Sequence, residues 1–479
     1  MQRRRAPRRD DGRESWFVGD AGRQAQARAA PEEARPVRWR DGVKARSSHD
    51  DAGRDRGEVE DVPASQSSQL TIDEARLWSR VQRLATVGAV PEHLGGGLDR
   101  PSFGDAHAEA TRLVARWMLE AGLDVTLDET GNLVGLLRGR EPDLPAVGVG
   151  SHLDTVPHGG AFDGALGVLA ALEAVATLVE VGERPRKSIA VVAFADEEGN
   201  TFGVGVLSAQ LWTGEITGKQ ITELVDAGGR SLPDRVAEFD VGLRIAPRPE
   251  LAVYLEAHVE QGPQMERWGG RAAAVTTIVG IARATVRFVG KANHSGTTPM
   301  EQRHDAACAG SQLVLDVRDM ARAGGGALVG NVGVFEIAPG ATNVVPGSAR
   351  LRIEFRSPDL RLLEDAMRAV EARARDIAET NHVDVEIEPW HVAKPVDLDP
   401  AIVRTVQDAL CDAGLPAHTM PSWAGHDAKV MARHMPTGML FVPSVDGISH
   451  APDERTKPED CSLAAEVLVH ALRRLARSD

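Results

Sequence analysis

The chain has 479 residues, more than one hydrophobic core comfortably organises, so two domains plus additional segments are expected. Hydrophobic residues at 42% and charged residues at 26% leave enough apolar surface for a sizeable interior, which excludes a predominantly disordered protein. The formal charge of -15 argues against nucleic acid or an anionic membrane as partner, and three scattered cysteines, Cys308, Cys411 and Cys461, exclude a disulfide framework and a thiolate zinc knot.

Residues 1–68 are rich in Arg, Asp, Ser and Gly without a sustained apolar period, so a disordered tail is expected there. Its Arg run (Arg3, Arg4, Arg5, Arg8, Arg9) has the charge of a nucleic-acid arm, but acidic residues follow at once and a solvated tail is the simpler reading. No window reaches the length of a membrane helix, and the basic N-terminus has no apolar run behind it, so a reducing cytoplasm is the expected location.

Folded sequence begins at Thr71 and Asp73, whose oxygens can cap a helix carrying the Leu77, Val81, Leu84 stripe. A second amphipathic helix is predicted over 105–121, stopping at Gly122. Three short apolar runs, 146–150, 189–194 and 251–255, have strand length and lead into polar clusters. With a helical pattern over 165–181 between the first two, they predict β-α-β organisation and a largely parallel sheet, with functional groups at strand C-terminal ends. From 280 to 390 the pattern becomes two helices among four strands, an inserted α+β sandwich. Residues 69–279 and 391–479 are then the two parts of a catalytic domain.

Polar clusters follow each buried run. His152 ends the first, and Asp154, two residues on, shares its side of an extended chain and can orient the second ring nitrogen of a metal-binding imidazole. Asp163 follows across a Gly-rich turn at a helix start, where backbone N–H groups favour an anion. Alone, His152 is equally a core histidine and Asp163 a helix cap. Glu197 and Glu198 point to opposite sides after the second strand, so one can ligate a metal while the other faces the water to be activated. His258 and His450 follow later strands in the same manner. Together they form a hard N/O donor set, suited to Zn, Mn, Co or Ni in a dinuclear site.

The segments GSHLDTVPHGGAFDGALGVLAALEAV, AFADEEG, LEAHVEQGP, NHSGTTPMEQRHDA, NVVPG and GISHAPDERT occur in this order. They resemble the hydantoinase/carbamoylase branch of the metal-dependent amidohydrolase and aminopeptidase-like clan. The match spans residues 72–476, and that family includes N-carbamoyl-L-amino-acid hydrolases, β-ureidopropionases and allantoate amidohydrolases. The resemblance implies an α/β fold with a phosphorylase/hydrolase-like catalytic domain, and it makes 280–390 the lid or dimerisation domain of a homodimer. It implies two divalent metal ions held by His152, Asp163, Glu198, His258 and His450, with Asp163 bridging. Glu197 would be the general base, Asp154 the partner of His152, and His294 the oxyanion donor. Gln261, Asn343 and Arg356 would hold a small ureido carboxylate, and His426 matches a family loop whose role the residues do not give. Members commonly carry an Arg before the Phe of the EEG segment, where Asn200 and Thr201 precede Phe202 here. Ureido C–N hydrolysis of N-carbamoyl-L-amino acids is the leading expectation, with allantoate or β-ureidopropionate as alternatives. A metal-dependent binding protein is the reading from outside enzymology, but it has no need of a free Glu197 beside five ligands.

Overall fold

The computed structural model describes residues 70–478, which cluster as one compact unit, and the expected tail at 1–68 lies outside them. The first helix, Glu74–Leu84, is capped by Asp73, whose carboxylate accepts the Arg76 N–H at 2.9 Å, and Leu77, Val81 and Leu84 are buried. The second, Asp105–Glu120, runs to Ala121 and then Gly122 in the left-handed region at φ 83°.

A nine-stranded mixed sheet forms the larger layer. Its order is Asp124–Leu127, Leu133–Leu137, Ile189–Phe194, Ala146–His152, Leu251–Val259, Thr437–Val442, Ala273–Ile278 and Val396–Asp397, with Thr419–Ser422 also beside Ala273–Ile278. The four central strands, from Ile189–Phe194 to Thr437–Val442, are mutually parallel, so His152, Phe194, Val259 and Val442 all lie at one end of the sheet. The chain order reverses about Ala146–His152, with the next strand on one side and the following one on the other, and a cleft is expected outside the strand ends at such a reversal. Every residue of Ala146–His152 and Ile189–Phe194 is buried, which requires the continuous Ala, Val, Ile composition. Helix Ala165–Glu180, built from Ala, Leu and Val on all sides, lies between the sheet and helix Pro458–Leu475.

Two strands are longer than their apolar runs, Ala146–His152 by two residues and Leu251–Val259 by four. Leu251–Val259 continues four residues beyond 255 because Thr437–Val442 pairs with it in parallel as far as Val259, which places His258 inside the strand and opposite Phe441.

A second sheet, all antiparallel, has the order Asp384–Ile387, Gly280–Val289, Ser348–Ser357, Val329–Ala338, with His391–Ala393 also along Gly280–Val289. In Ser348–Ser357 burial alternates strictly. Ala349, Leu351, Ile353 and Phe355 pack with helices Ala306–Ala323 and Leu360–Asn381 in a core separate from that of the larger layer, whereas Arg350, Arg352 and Arg356 take the opposite face. None of the described helices is long and apolar enough to cross a membrane.

Candidate metal centre

Five of the expected side chains converge at the common strand end. His152 closes its strand with Nδ1 3.0 Å from the main-chain oxygen of Asp154, and His258 sets Nδ1 2.9 Å from the Val259 oxygen. A carbonyl only accepts, so each Nδ1 carries the ring proton and each Nε2 lone pair turns inward, the tautomer a metal ligand needs. Both meet Asp163 Oδ1, at 3.3 Å from His152 and 3.2 Å from His258, while Asp163 Oδ2 lies 3.0 Å from His450 Nε2. Glu198 Oε1 stands 3.6 Å from the same His450 nitrogen. Four groups of donors lie close enough to hold an ion: His152–Asp163–His258 and Asp163–Glu198–His450, which share Asp163, and also His152–Glu197–Glu198 and Glu256–His258–His426.

This set fits divalent cations on its own chemistry. Two imidazole lone pairs and a carboxylate oxygen within 3.3 Å repel one another unless positive charge lies among them. Burial opposes protonation of His152 and His258, yet Asp154 and Asp163 beside the first, and Asp163 beside the second, raise both proton affinities. Burial likewise opposes the charge on Asp163, but the three imidazoles hold its carboxyl well below the usual range. A site that draws protons this strongly is one that a cation satisfies.

Local backbone explains the convergence. Gly164, at φ 62° ahead of helix Ala165–Glu180, brings the chain so close that a Cβ there would stand 2.4 Å from His152 Nε2. Asp196, at φ 57°, turns the chain sharply after Phe194 and accepts the N–H groups of Thr201 at 3.1 Å and Phe202 at 3.3 Å. Thr201 and Asn200 anchor this loop to the oxygens of Ser102 and Thr155.

Asp154 stands beside His152, its Oδ1 3.6 Å from His152 Nδ1, which also meets the Asp154 main-chain oxygen at 3.0 Å. The same carboxylate accepts the N–H groups of Glu197 at 3.3 Å and Glu198 at 3.1 Å. Glu197 keeps Oε2 3.8 Å from His152 and stays outside both triads that share Asp163. Glu454, which the sequence reading left without a role, is 3% exposed; it accepts from Phe162 N at 2.9 Å, Asp163 N at 3.1 Å and Ser449 Oγ at 2.6 Å. Its signal was position alone, a carboxylate four residues after His450.

The remaining expected residues divide into three places. Gln261 donates through Nε2 to Asp163 Oδ2 at 2.7 Å, and its Oε1 is buried without a partner. His426 is buried with its ring edge-on to His258, centroids 4.6 Å apart, and burial, with His258 adding to it, holds its pKa well below the usual value, so the ring is neutral. Arg356, from the second sheet, donates to the Trp423 carbonyl at 3.0 Å and to Glu354 at 2.7 Å. It lines a cavity of about 430 Å³ together with Gln261, Ser449 and His450. His294 is exposed on a two-stranded ladder opposite Val344, Asn343 is exposed in the turn just before that ladder's second strand, and neither joins a triad. His294 Nδ1 accepts from Gly296 N at 3.0 Å and Thr297 N at 3.2 Å, which leaves the ring proton on Nε2, facing outward.

A family model described as Peptidase family M20/M25/M40 matches residues 148–474. An N-carbamoyl-L-amino acid amidohydrolase of Geobacillus stearothermophilus is 37% identical over 411 residues, which is 84% of this chain and 99% of the relative. Allantoate amidohydrolase of Escherichia coli is 34% identical over 396 residues, 82% of this chain and 96% of that protein. The crystal structure of a hydantoinase/carbamoylase family amidase from Burkholderia multivorans matches with a TM-score of 0.81 and 33% identity, over 85% of this chain and 99% of that one. The matched span contains every donor of the two triads, and the chain accordingly belongs to the M20/M25/M40 peptidase family, in its hydantoinase/carbamoylase branch, as a hydrolase acting on C–N bonds.

Proposed function

We propose that this hydrolase cleaves the ureido C–N bond of N-carbamoyl-L-amino acids, giving the amino acid, CO2 and ammonia, with two divalent ions, Zn or one of Mn, Co and Ni. The observation that carries the reading is the pair of triads sharing Asp163, with Glu197 beside them and free of both. His152, Asp163 and His258 would hold one ion, and Asp163, Glu198 and His450 the other. Bound divalent metal supplies Lewis acidity toward the carbamoyl oxygen and lowers the pKa of water to near neutrality, from about 15.7 to about 7 in the best-known cases.

The chain's own groups account for the rest. Burial pushes the Glu197 carboxyl well above its ordinary value, against the pull of His152, which suits a group that takes a proton from water and returns it to the leaving amino nitrogen. Arg356 offers its planar fork to the substrate carboxylate, and the Trp423 carbonyl and Glu354 hold that fork in place. His294, whose Nδ1 accepts two main-chain N–H groups, is the donor to the developing oxyanion, reaching the site of a partner subunit across a C₂ homodimer in which residues 280–390 form the lid and the dimer contact. The edge strand Val329–Ala338 supports such an assembly, with Val329, Phe335 and Ile337 exposed along it. The name of the Escherichia coli relative supports allantoate as the second reading.

The test is ammonia release, with each metal supplied in turn, from N-carbamoyl-L-amino acids, allantoate and 3-ureidopropionate. Highest kcat/KM on an N-carbamoyl-L-amino acid is expected. A clear preference for allantoate would replace the reading with its alternative.

A further inference from the structure

The cavity that joins the metal centre to Arg356 has one wall of a different character. Its polar lining comprises Gln261, Ser449 and His450 from the metal centre, Arg356 from the second sheet, and Glu260 and Gln264. Pro263, Met420, Pro421, Trp423 and Phe441 complete it. Trp423 is half-buried and its Nε1 is buried without a hydrogen-bond partner, so the indole brings a large carbon surface and one open N–H. Glu260, which also borders the cavity, has both carboxylate oxygens committed, to Gln264 N at 2.7 Å and Met265 N at 2.8 Å. Ser449 is committed to Glu454 and Asp163.

A ureido acid that reaches from His450 to Arg356 must place its α-carbon between the two. The α-substituent is one bond from the carboxylate carbon, so its subsite adjoins the guanidinium. Trp423 does adjoin it, since its carbonyl accepts Arg356 Nη1 at 3.0 Å. A substituent with its own donors and acceptors, such as a second ureido group, would lose water against the Pro263, Met420, Pro421 and Phe441 carbons, with few partners to gain, and that costs more than burying a hydrocarbon of the same size.

We infer that Pro263, Met420, Pro421, Trp423 and Phe441 form the subsite for the substrate's α-substituent, which selects N-carbamoyl amino acids with bulky apolar side chains, aromatic or branched aliphatic. This rests on the proposed ureidohydrolase reading and specifies its substrate. Trp423 is the specificity-determining residue, because it joins the carbon wall to the carboxylate anchor.

The metal-loaded enzyme should be assayed on N-carbamoyl derivatives of phenylalanine, leucine, glycine and aspartate, and on allantoate. The phenylalanine and leucine derivatives should exceed the glycine derivative in kcat/KM by about ten-fold or more, with aspartate and allantoate below it. Trp423→Ala should shrink the phenylalanine-to-glycine ratio, Trp423→Phe should restore most of it, and Met420→Ser should shrink it independently. Ammonia release from all of these compounds at equal efficiency, or a preference for allantoate or the glycine derivative, would overturn the subsite while leaving ureidohydrolysis standing. Release from none of them would remove both. Ratios unmoved in well-folded Trp423→Ala and Met420→Ser would place the selection elsewhere and likewise overturn the assignment.

Discussion

Asp154 Oδ2 accepts the main-chain N–H of Glu198 at 3.1 Å, while Oδ1 accepts that of Glu197 at 3.3 Å. One buried carboxylate therefore fixes the peptide that carries both a candidate ligand and the candidate base. An amide in its place would turn an N–H2 toward one of these donors. Asp154→Asn should lower activity about 10- to 100-fold, with weaker metal retention on dialysis. Wild-type kinetics and metal content in that variant would show that the two N–H contacts are dispensable.

Glu197→Gln separates proton transfer from metal holding. The amide keeps size and hydrogen bonding but not basicity, so a loss of about 10²- to 10⁴-fold in kcat is expected with metal content unchanged by elemental analysis. If turnover stays near wild type, the base is another group. If the metal is lost as well, Glu197 is a ligand.

The outward Nε2–H of His294 gives the dimer proposal a genetic test. When Glu197→Gln and His294→Ala chains are mixed in one dimer, a site fed in trans would have an intact Glu197 and an intact His294 in one of its two copies. Co-refolding should restore about a quarter of wild-type activity, since half the dimers are mixed and each has one good site. A mixture no more active than its components would assign His294 to its own chain's site.

Acid sensitivity should report on His107, which is buried, accepts the Phe103 N–H at 3.1 Å through Nδ1, and has its pKa lowered by burial from 6.5 to about 4. The unfolded chain binds this proton more readily than the folded one. The associated stability is complete above pH 6.5 and is lost as pH falls toward 4, by roughly 3 kcal/mol at most. His107→Gln keeps an acceptor but does not titrate, so its denaturant midpoint should fall less than that of wild type over this range. Parallel curves would remove His107 from the account.

How much the sequence disclosed depended on the distance over which each contact is made. The runs 146–150 and 189–194 were legible because buried parallel strands are continuous in Val, Ile and Ala, and their polar sequels, His152 among them, sit beside them in the chain. The strand carrying His258 was read short, since its last four residues are held by a partner strand about 180 residues later. Asp154 was placed beside His152, but its contacts with the N–H groups of Glu197 and Glu198 went unread, because alternation of side chains says nothing about which backbone N–H groups a turn such as that at Asp196 presents. Trp423 gave no signal, because its significance lies in an Arg356 that comes from the other sheet.

The contact of Glu454 with the Asp163 N–H spans 291 residues, and this sets an order on biosynthesis. His152, Asp163, Glu197, Glu198 and His258 leave the ribosome while His450 and the acceptor that fixes the Asp163 peptide are still to be translated. During that interval the emerging chain exposes most of a cation-binding set without the means to shape it. Any loading of the candidate centre would then come late in the life of the nascent chain, and a polypeptide released short of residue 454 would carry most of the candidate donors without the acceptor that fixes the Asp163 peptide.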